Sequence, residues 1–322
     1  MIPGDILKAI RLSVITLASD ADIALGELMS TTLPDPLPPV AILPVATGLA
    51  CGGSIEQLIP VTSAIVVVAF ALRTLDDIAD QDNSNALHQK IGIGRAANFS
   101  AALIALASRE IGVLSKASPD SILMTGDYFD ALLRIFVGQD KDIQREVRSL
   151  AAYEEVVELK TVAAYELAAV VGANAVTADG NFTKKCRVCG RHIGWAQQIL
   201  DDIEAFWFLD NAEESGHELY TYPVLLGIEN GGSTGEAVSR LCNQKDRKDD
   251  AIRDLLDSLD VRGQLMIRAL DHRDQALLVF GPPLRPEGHQ LIKLWFDWLF
   301  RDGERLLKLP SSRSLTSESS LS

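Results

Sequence analysis

Apolar residues recur at helical spacing along nearly the whole chain, and strand-like alternation is almost absent. Ile6, Ile10, Val14 and Leu17 mark one face of a helix over 6–29, which the proline-rich run 33–39 ends. A short helix is predicted near 40–50, followed by the breaker Cys51-Gly52-Gly53-Ser54. A long apolar helix then runs from Ile55 to about Asp80, with Pro60 tolerable only near its start. Residues 81–94 read as a polar loop. Further helices are predicted over 95–116, 121–148, 152–175 and 183–209, with Pro119-Asp120 and Asp179-Gly180-Asn181 as breakers. Shorter ones follow at 223–230 and 234–243, then a long one over 247–280, stopped by Gly281-Pro282-Pro283. A last helix spans 287–308. No repeat at the ~20–50-residue periods of solenoids is present. The pattern is that of one all-α domain over 1–309. The serine-rich tail 310–322 has no apolar face and is expected to be disordered.

Composition narrows the function. Of 322 residues, 47% are hydrophobic, enough for a large core in a single helical domain. A formal charge of −14, with no basic stripe, excludes nucleic acid as a partner. Cys51, Cys186, Cys189 and Cys242 are too scattered for a disulfide framework, and the pair at 186 and 189 has only His192 nearby. Zinc needs about four ligands, so these read as buried structural thiols. The first residues lack the basic start of a signal peptide. The apolar stretches 40–50 and 58–72 fall short of the ~20 residues of a spanning helix. Core helices and a cytoplasmic location without a transmembrane segment are expected.

Two acidic segments carry the candidate chemistry. Asp76 and Asp80 lie one helical turn apart with Asp77 beside them, at the end of an apolar helix. Carboxylates so placed repel one another unless a cation sits among them, and oxygen-only ligands suit magnesium. Three predicted helices later the layout repeats, as Gln197-Gln198-Ile199-Leu200-Asp201-Asp202. Antiparallel neighbours in a bundle bring two such ends to face each other across one cavity. Metals held from two sides neutralise a diphosphate and polarise its bond to carbon, and an apolar cavity shields the resulting allylic cation from water.

The order of motifs resembles that of the trans-isoprenyl diphosphate synthases and their terpene-synthase relatives. Asp76-Asp77-Ile78-Ala79-Asp80 is similar to the first aspartate-rich motif of that family, and Gly138-Gln139-Asp140-Lys141-Asp142 to its GQxxD segment. Lys160-Thr161 matches its Lys-Thr pair, Gln198 with Asp201-Asp202 its second motif, and Thr221-Tyr222-Pro223 the Thr-x-Pro that follows. The resemblance implies a helical bundle with a central apolar cavity, an allylic prenyl diphosphate substrate and a homodimer. It also implies magnesium, about three ions with the diphosphate bound. Asp76 and Asp80 are then metal ligands on one side and Asp201 on the other, with Asp77 supporting and Asp202 joining the metal set. Lys160 contacts the diphosphate, Thr161 lies near the reacting end, Gln198 orders the second site, and Gln139 belongs to the substrate site.

The departures point to a different use of the fold. Elongating members bind a second, metal-free diphosphate, that of isopentenyl diphosphate, with Lys and Arg before the first motif and an Arg pair after it. Here neither 32–40 nor 81–89 contains Lys or Arg; Lys90 and Arg95 come later, and His88 is a weak substitute at neutral pH. Ala205 replaces the last aspartate of the second motif. The expectation is a terpene synthase that ionises one prenyl diphosphate and cyclises it. The alternatives are a prenyltransferase acting on isopentenyl diphosphate or another acceptor such as a peptide side chain, and a non-catalytic regulatory subunit. Leu72, Ala69 and Ile65 lie below Asp76 on its helix face. In the resembling synthases, large aromatics four or five positions before the first aspartate limit chain length. Here Leu72 and Ala71 hold those positions, so a C20 or C25 substrate is expected.

Overall fold

Asp22 divides the first predicted helix. In this computed structural model, which describes residues 4–35, 37–80, 85–119, 121–144, 147–208, 220–244, 249–301 and 303, α1 (Gly4–Ala21) is followed by α2 (Ile23–Thr32). The Asp22 carboxylate caps α2 by accepting from the Leu25 amide at 3.0 Å. A 3₁₀ turn (Pro39–Ile42) leads into α3 (Leu43–Ala50), and α4 (Ile55–Asp80) runs its predicted length. The segment expected to be a polar loop contains α5 (Leu87–Ile91), which Gly92 at φ 85° separates from α6 (Ile93–Leu114). α7 (Ser121–Ile143) stops short of its predicted end, and Ser149 caps α8 (Leu150–Val157).

The helix predicted over 152–175 is three pieces. After α8 comes a π-helical turn (Glu158–Val162), then α9 (Ala163–Asn174). α10 (Gly180–Phe208), α11 (Tyr222–Asn230) and α12 (Gly232–Cys242) follow. The long helix predicted over 247–280 breaks into α13 (Asp249–Ser258) and α14 (Val261–Val279), because Asp260 takes a left-handed conformation at φ 52°. α15 (Pro286–Leu299) closes the described chain. The serine-rich tail and residues 81–84 lie outside the described residues, and among those described every regular element is helical.

Two apolar clusters build the core. The larger joins α1, α3, α4, α6, α7 and α9 with the first half of α10 and with α15; the smaller joins the second half of α10 with α8, α11, α13 and α14. α10 thus threads both, carrying the second acidic motif into the smaller one. α9 is buried on nearly every residue, and Gly172 lets it approach α3 closely: a Cβ there would lie 2.2 Å from the Pro44 carbonyl oxygen. α4 and the stretch Ile93–Ala117 are long and apolar enough to cross a bilayer by composition, yet 67% of the α4 window is buried inside the fold. Each fully buried aliphatic side chain there contributes about 1.5–3 kcal/mol. Cys186 and Cys189 are buried in the larger cluster, and none of the four cysteines is joined in a disulfide.

Candidate active site

The last turn of α4 holds Asp76, Asp77 and Asp80 and no basic residue. Carboxylates at a helix C-terminus oppose the helix dipole, so this end requires a cation from elsewhere. The π-turn supplies one. Lys160 donates from Nζ to Asp76 Oδ1 at 2.7 Å and to Asp142 Oδ2 at 2.6 Å. Burial disfavours its charged form, but the two carboxylates outweigh that effect and hold the ammonium above the ordinary lysine range. The next residue faces the other motif: Thr161 donates from Oγ1 to Gln198 Oε1 at 2.6 Å. Adjacent residues therefore join two acidic motifs that are far apart in sequence.

The second motif is held differently. Gln198 Nε2 donates to Asp202 Oδ1 at 3.0 Å, and the Tyr153 hydroxyl donates to Asp202 Oδ2 in a short hydrogen bond. Asp202 is buried, and burial lifts its carboxyl to about 7 although both hydrogen bonds pull it down. Tyr153 stacks on Tyr222 with ring centres 5.2 Å apart, and Arg268 donates to the Tyr222 hydroxyl at 2.6 Å. Asp201 opens to solvent yet is ringed by protein. That desolvation raises its carboxyl to about 6, against the lowering by Gln197, whose Nε2 donates to it at 2.7 Å.

The structure thus gathers Asp76 with Lys160, and Thr161 with Gln198 and Asp202, into two hydrogen-bonded groups joined by the Lys160–Thr161 peptide. Gln139 is half-buried with its Nε2 unpartnered, and Thr221 at the start of α11 also buries an unpartnered hydroxyl. Asp142, inside the GQxxD segment, was legible as part of a motif, but its role as second carboxylate on Lys160 was not. Tyr153 had no sequence signal. Among the described residues no three carboxylates, histidines or cysteines already converge as a metal site. The donors that line the site are nevertheless all oxygen, and their negative charge exceeds what Lys160 offsets, which fits hard divalent cations.

Beside the first motif lies a cavity of about 170 Å³, between the end of α2, the last turns of α4 and α5. Thr31, Thr32, Phe70, Asp77, Arg73 and Lys90 line it. Arg73 and Lys90 are both exposed, and the Arg73 guanidinium reaches far enough electrostatically to lower the Asp201 carboxyl. The cavity thus carries two basic side chains, one from inside α4 and one from α5. Arg95 and His88 do not line it, and His88 is buried. On the Asp76 side of α4, Leu72 and Ala69 are half-buried below Asp76, and Ile65 is fully buried roughly 16 Å down the helix.

Comparison with known proteins bears on the fold and the family. The curated relatives include the tryptophan prenyltransferase ComQ of Bacillus subtilis subsp. natto, 28% identical over 146 residues, which are 45% of this chain and 44% of that protein. They also include the (2E,6E)-farnesyl diphosphate synthase of Mycobacterium tuberculosis, 30% identical over 121 residues, 34% of this chain and 33% of that one. Each alignment spans less than half of the relative. Among solved structures, the polyprenyl synthase of Caulobacter crescentus, complexed with calcium and isoprenyl diphosphate, superposes with a TM-score of 0.75 at 20% identity. That match covers 91% of this chain and 94% of the other, and shares the fold. The family model described as polyprenyl synthetase matches residues 39–259, which take in both acidic motifs, the π-turn between them and most of the two cores. The chain belongs to the polyprenyl synthetase family.

Proposed function

We propose that the chain is a magnesium-dependent prenyltransferase, joining an allylic prenyl diphosphate to an acceptor bound beside the first acidic motif. The observation that carries this is the cavity at Asp77, where Arg73 and Lys90 face a ligand space next to the site of ionisation. The curated relatives, a prenyltransferase and a farnesyl diphosphate synthase by name, support transfer over the cyclisation expected from the missing upstream cations.

Asp76, Asp80 and Asp201 would hold the magnesium, with Asp77 alongside and Asp202 fixing the geometry from behind. Bound there, the metal neutralises the diphosphate and polarises its bond to the allylic carbon. Lys160 meets the diphosphate oxygens once it leaves Asp76, and Thr161 and Gln198 keep the second wall in register. The apolar faces of α4 and α9 exclude water from the prenyl chain. Arg73 and Lys90 orient the acceptor so that its nucleophilic carbon faces the allylic carbon. The carbon–oxygen bond breaks, a carbon–carbon bond forms, and the acceptor releases a proton.

Isopentenyl diphosphate is the acceptor that the two cations favour. Incubation with labelled isopentenyl diphosphate, magnesium and allylic diphosphates of C10 to C25 should incorporate label into a longer prenyl diphosphate. A volatile terpene from the allylic substrate alone would overturn the reading. A second acceptor class has one observation in its favour: two side chains offset less charge than the clusters of elongating members, and one relative is named for prenylating tryptophan. A prenylated tryptophan peptide, found by mass spectrometry without label incorporation, would select it.

Small side chains along α4 support a long substrate of C20 or C25. Phe70 turns to the acceptor cavity and packs edge-on against Phe99. The exposed face of α7 supports a homodimer. Ile122, Phe129, Leu133 and Phe136 are 83%, 50%, 65% and 41% exposed and lie along one stripe. Light scattering should give twice the chain mass, and Leu133→Glu should halve it.

A further inference from the structure

The two residues that bridge the acidic motifs sit in the one π-helical turn among the described residues, Glu158–Val162. A π-turn gives up regular helical hydrogen bonds and needs support from outside, and such turns recur at functional sites. Here the support is dense. Arg134 of α7 spans the turn, donating from Nη2 to the Glu158 carbonyl at 3.1 Å and from Nη1 to Glu166 Oε2 at 2.8 Å. Gly138 backs it: a Cβ there would lie 2.8 Å from Leu159 Cβ and 2.9 Å from the Lys160 amide nitrogen.

The Glu158 side chain adds three contacts to α10. Arg191 Nη1 and Nη2 each donate to one of its oxygens at 2.5 Å, and Trp195 Nε1 donates to Oε1 at 2.6 Å. A bidentate guanidinium pair fixes orientation as well as distance. Arg191, Trp195, Gln198 and Asp202 follow one another along a single face of α10. That face therefore grips the turn at Glu158 and receives Thr161 at Gln198.

Resting on the reading of Lys160 as the diphosphate contact, we propose that Glu158 is a positioning residue. Clamped by Arg191 and Trp195, it sets the register of the π-turn against α10, so that Lys160 meets the diphosphate while Thr161 holds Gln198. Displacement of such a contact by about an ångström is enough for a large loss.

The test is a double-mutant cycle on the full chain, with magnesium and inorganic pyrophosphate titrated by calorimetry. Lys160→Ala should weaken pyrophosphate binding about tenfold or more, and Glu158→Gln should weaken it about tenfold. If Glu158 acts through Lys160, Glu158→Gln should have almost no effect in the Lys160→Ala background. Equal losses in both backgrounds would overturn the proposal while leaving Lys160 as the contact. Unchanged binding in Lys160→Ala would overturn the reading on which it rests, and the proposal with it. Should Glu158→Gln fail to fold, Arg191→Lys and Trp195→Phe remove the clamp from its other side, keeping charge and ring, and should behave in the same way.

Discussion

The two acidic motifs look alike in sequence and are built in opposite ways. Asp76 ends a helix whose dipole repels it and is compensated by Lys160, an ion pair that a metal can displace. Asp202 lies inside the smaller core, with each oxygen taken by a neutral donor, Tyr153 and Gln198. One motif is a charge waiting for an exchangeable partner. The other is a fixed wall whose geometry exists before any ligand arrives, and only Asp201 of that motif opens to solvent. The difference teaches that repeated carboxylate spacing does not imply repeated roles: helix position and the polarity of the opposing side chains assign them.

The comparison predicts that activity and stability separate between the motifs. The largest effect belongs to the exchangeable side. Asp76→Ala should lower turnover by about 10²–10³-fold, the scale of lost electrostatic stabilisation in a transition state. Its melting midpoint should stay level or rise slightly, since a charge opposing the helix dipole is gone; a loss of fold in circular dichroism would contradict the assignment. On the fixed side, Asp202→Ala should cost about 1–3 kcal/mol in urea unfolding, because the buried Tyr153 and half-buried Gln198 donors lose their acceptor. Equal melting of the two variants would erase the contrast.

Acid should act on the fixed side as well. α10 meets α14 at His192 and His272, whose Nδ1 atoms are 2.9 Å apart, with Trp195 stacked on His272. Burial first, then His192, pushes His272 down to about 4, with Arg191 and Arg268 acting in the same sense and Asp271 against them. Its folded value lies below its unfolded one, so its contribution to stability is present above about pH 6.5 and is lost as pH falls through about 4. The stability gap between the wild type and His272→Phe should narrow across that window in pH-dependent melts. The smallest effect concerns substrate length. Ala71 is fully buried, so a phenylalanine there overpacks the core, and only half-buried Ala69 offers a clean test. Ala69→Phe should shift preference toward shorter allylic substrates by about tenfold at most, read from competing substrates of C10 to C25.

Much of this protein is local and therefore legible in its amino-acid order. Helical spacing marked α4 to its ends, because a long apolar run stops where carboxylates begin. The same periodicity identified an all-α chain, and motif order pointed to the family. Breaks that depend on a single residue were missed: Asp22 as a cap, Asp260 in a left-handed turn, and the π-turn at Glu158–Val162, which differs from an α-helix by one residue and changes no periodicity over a short window. Functional roles depend on such particulars in the same manner. The absence of Lys and Arg from 32–40 and 81–89 favoured cyclisation, whereas α4 and α5 bring Arg73 and Lys90 to one cavity beside the first motif. Asp142 and Tyr153 gained their roles only from the side chains that packing set opposite them. Sequence determined which elements form and which chemistry is available, since propensity and hydrophobic pattern act over a few residues. Tertiary structure decided which charges are paired, buried or open to a ligand, since those energies depend on groups that meet only when distant helices pack.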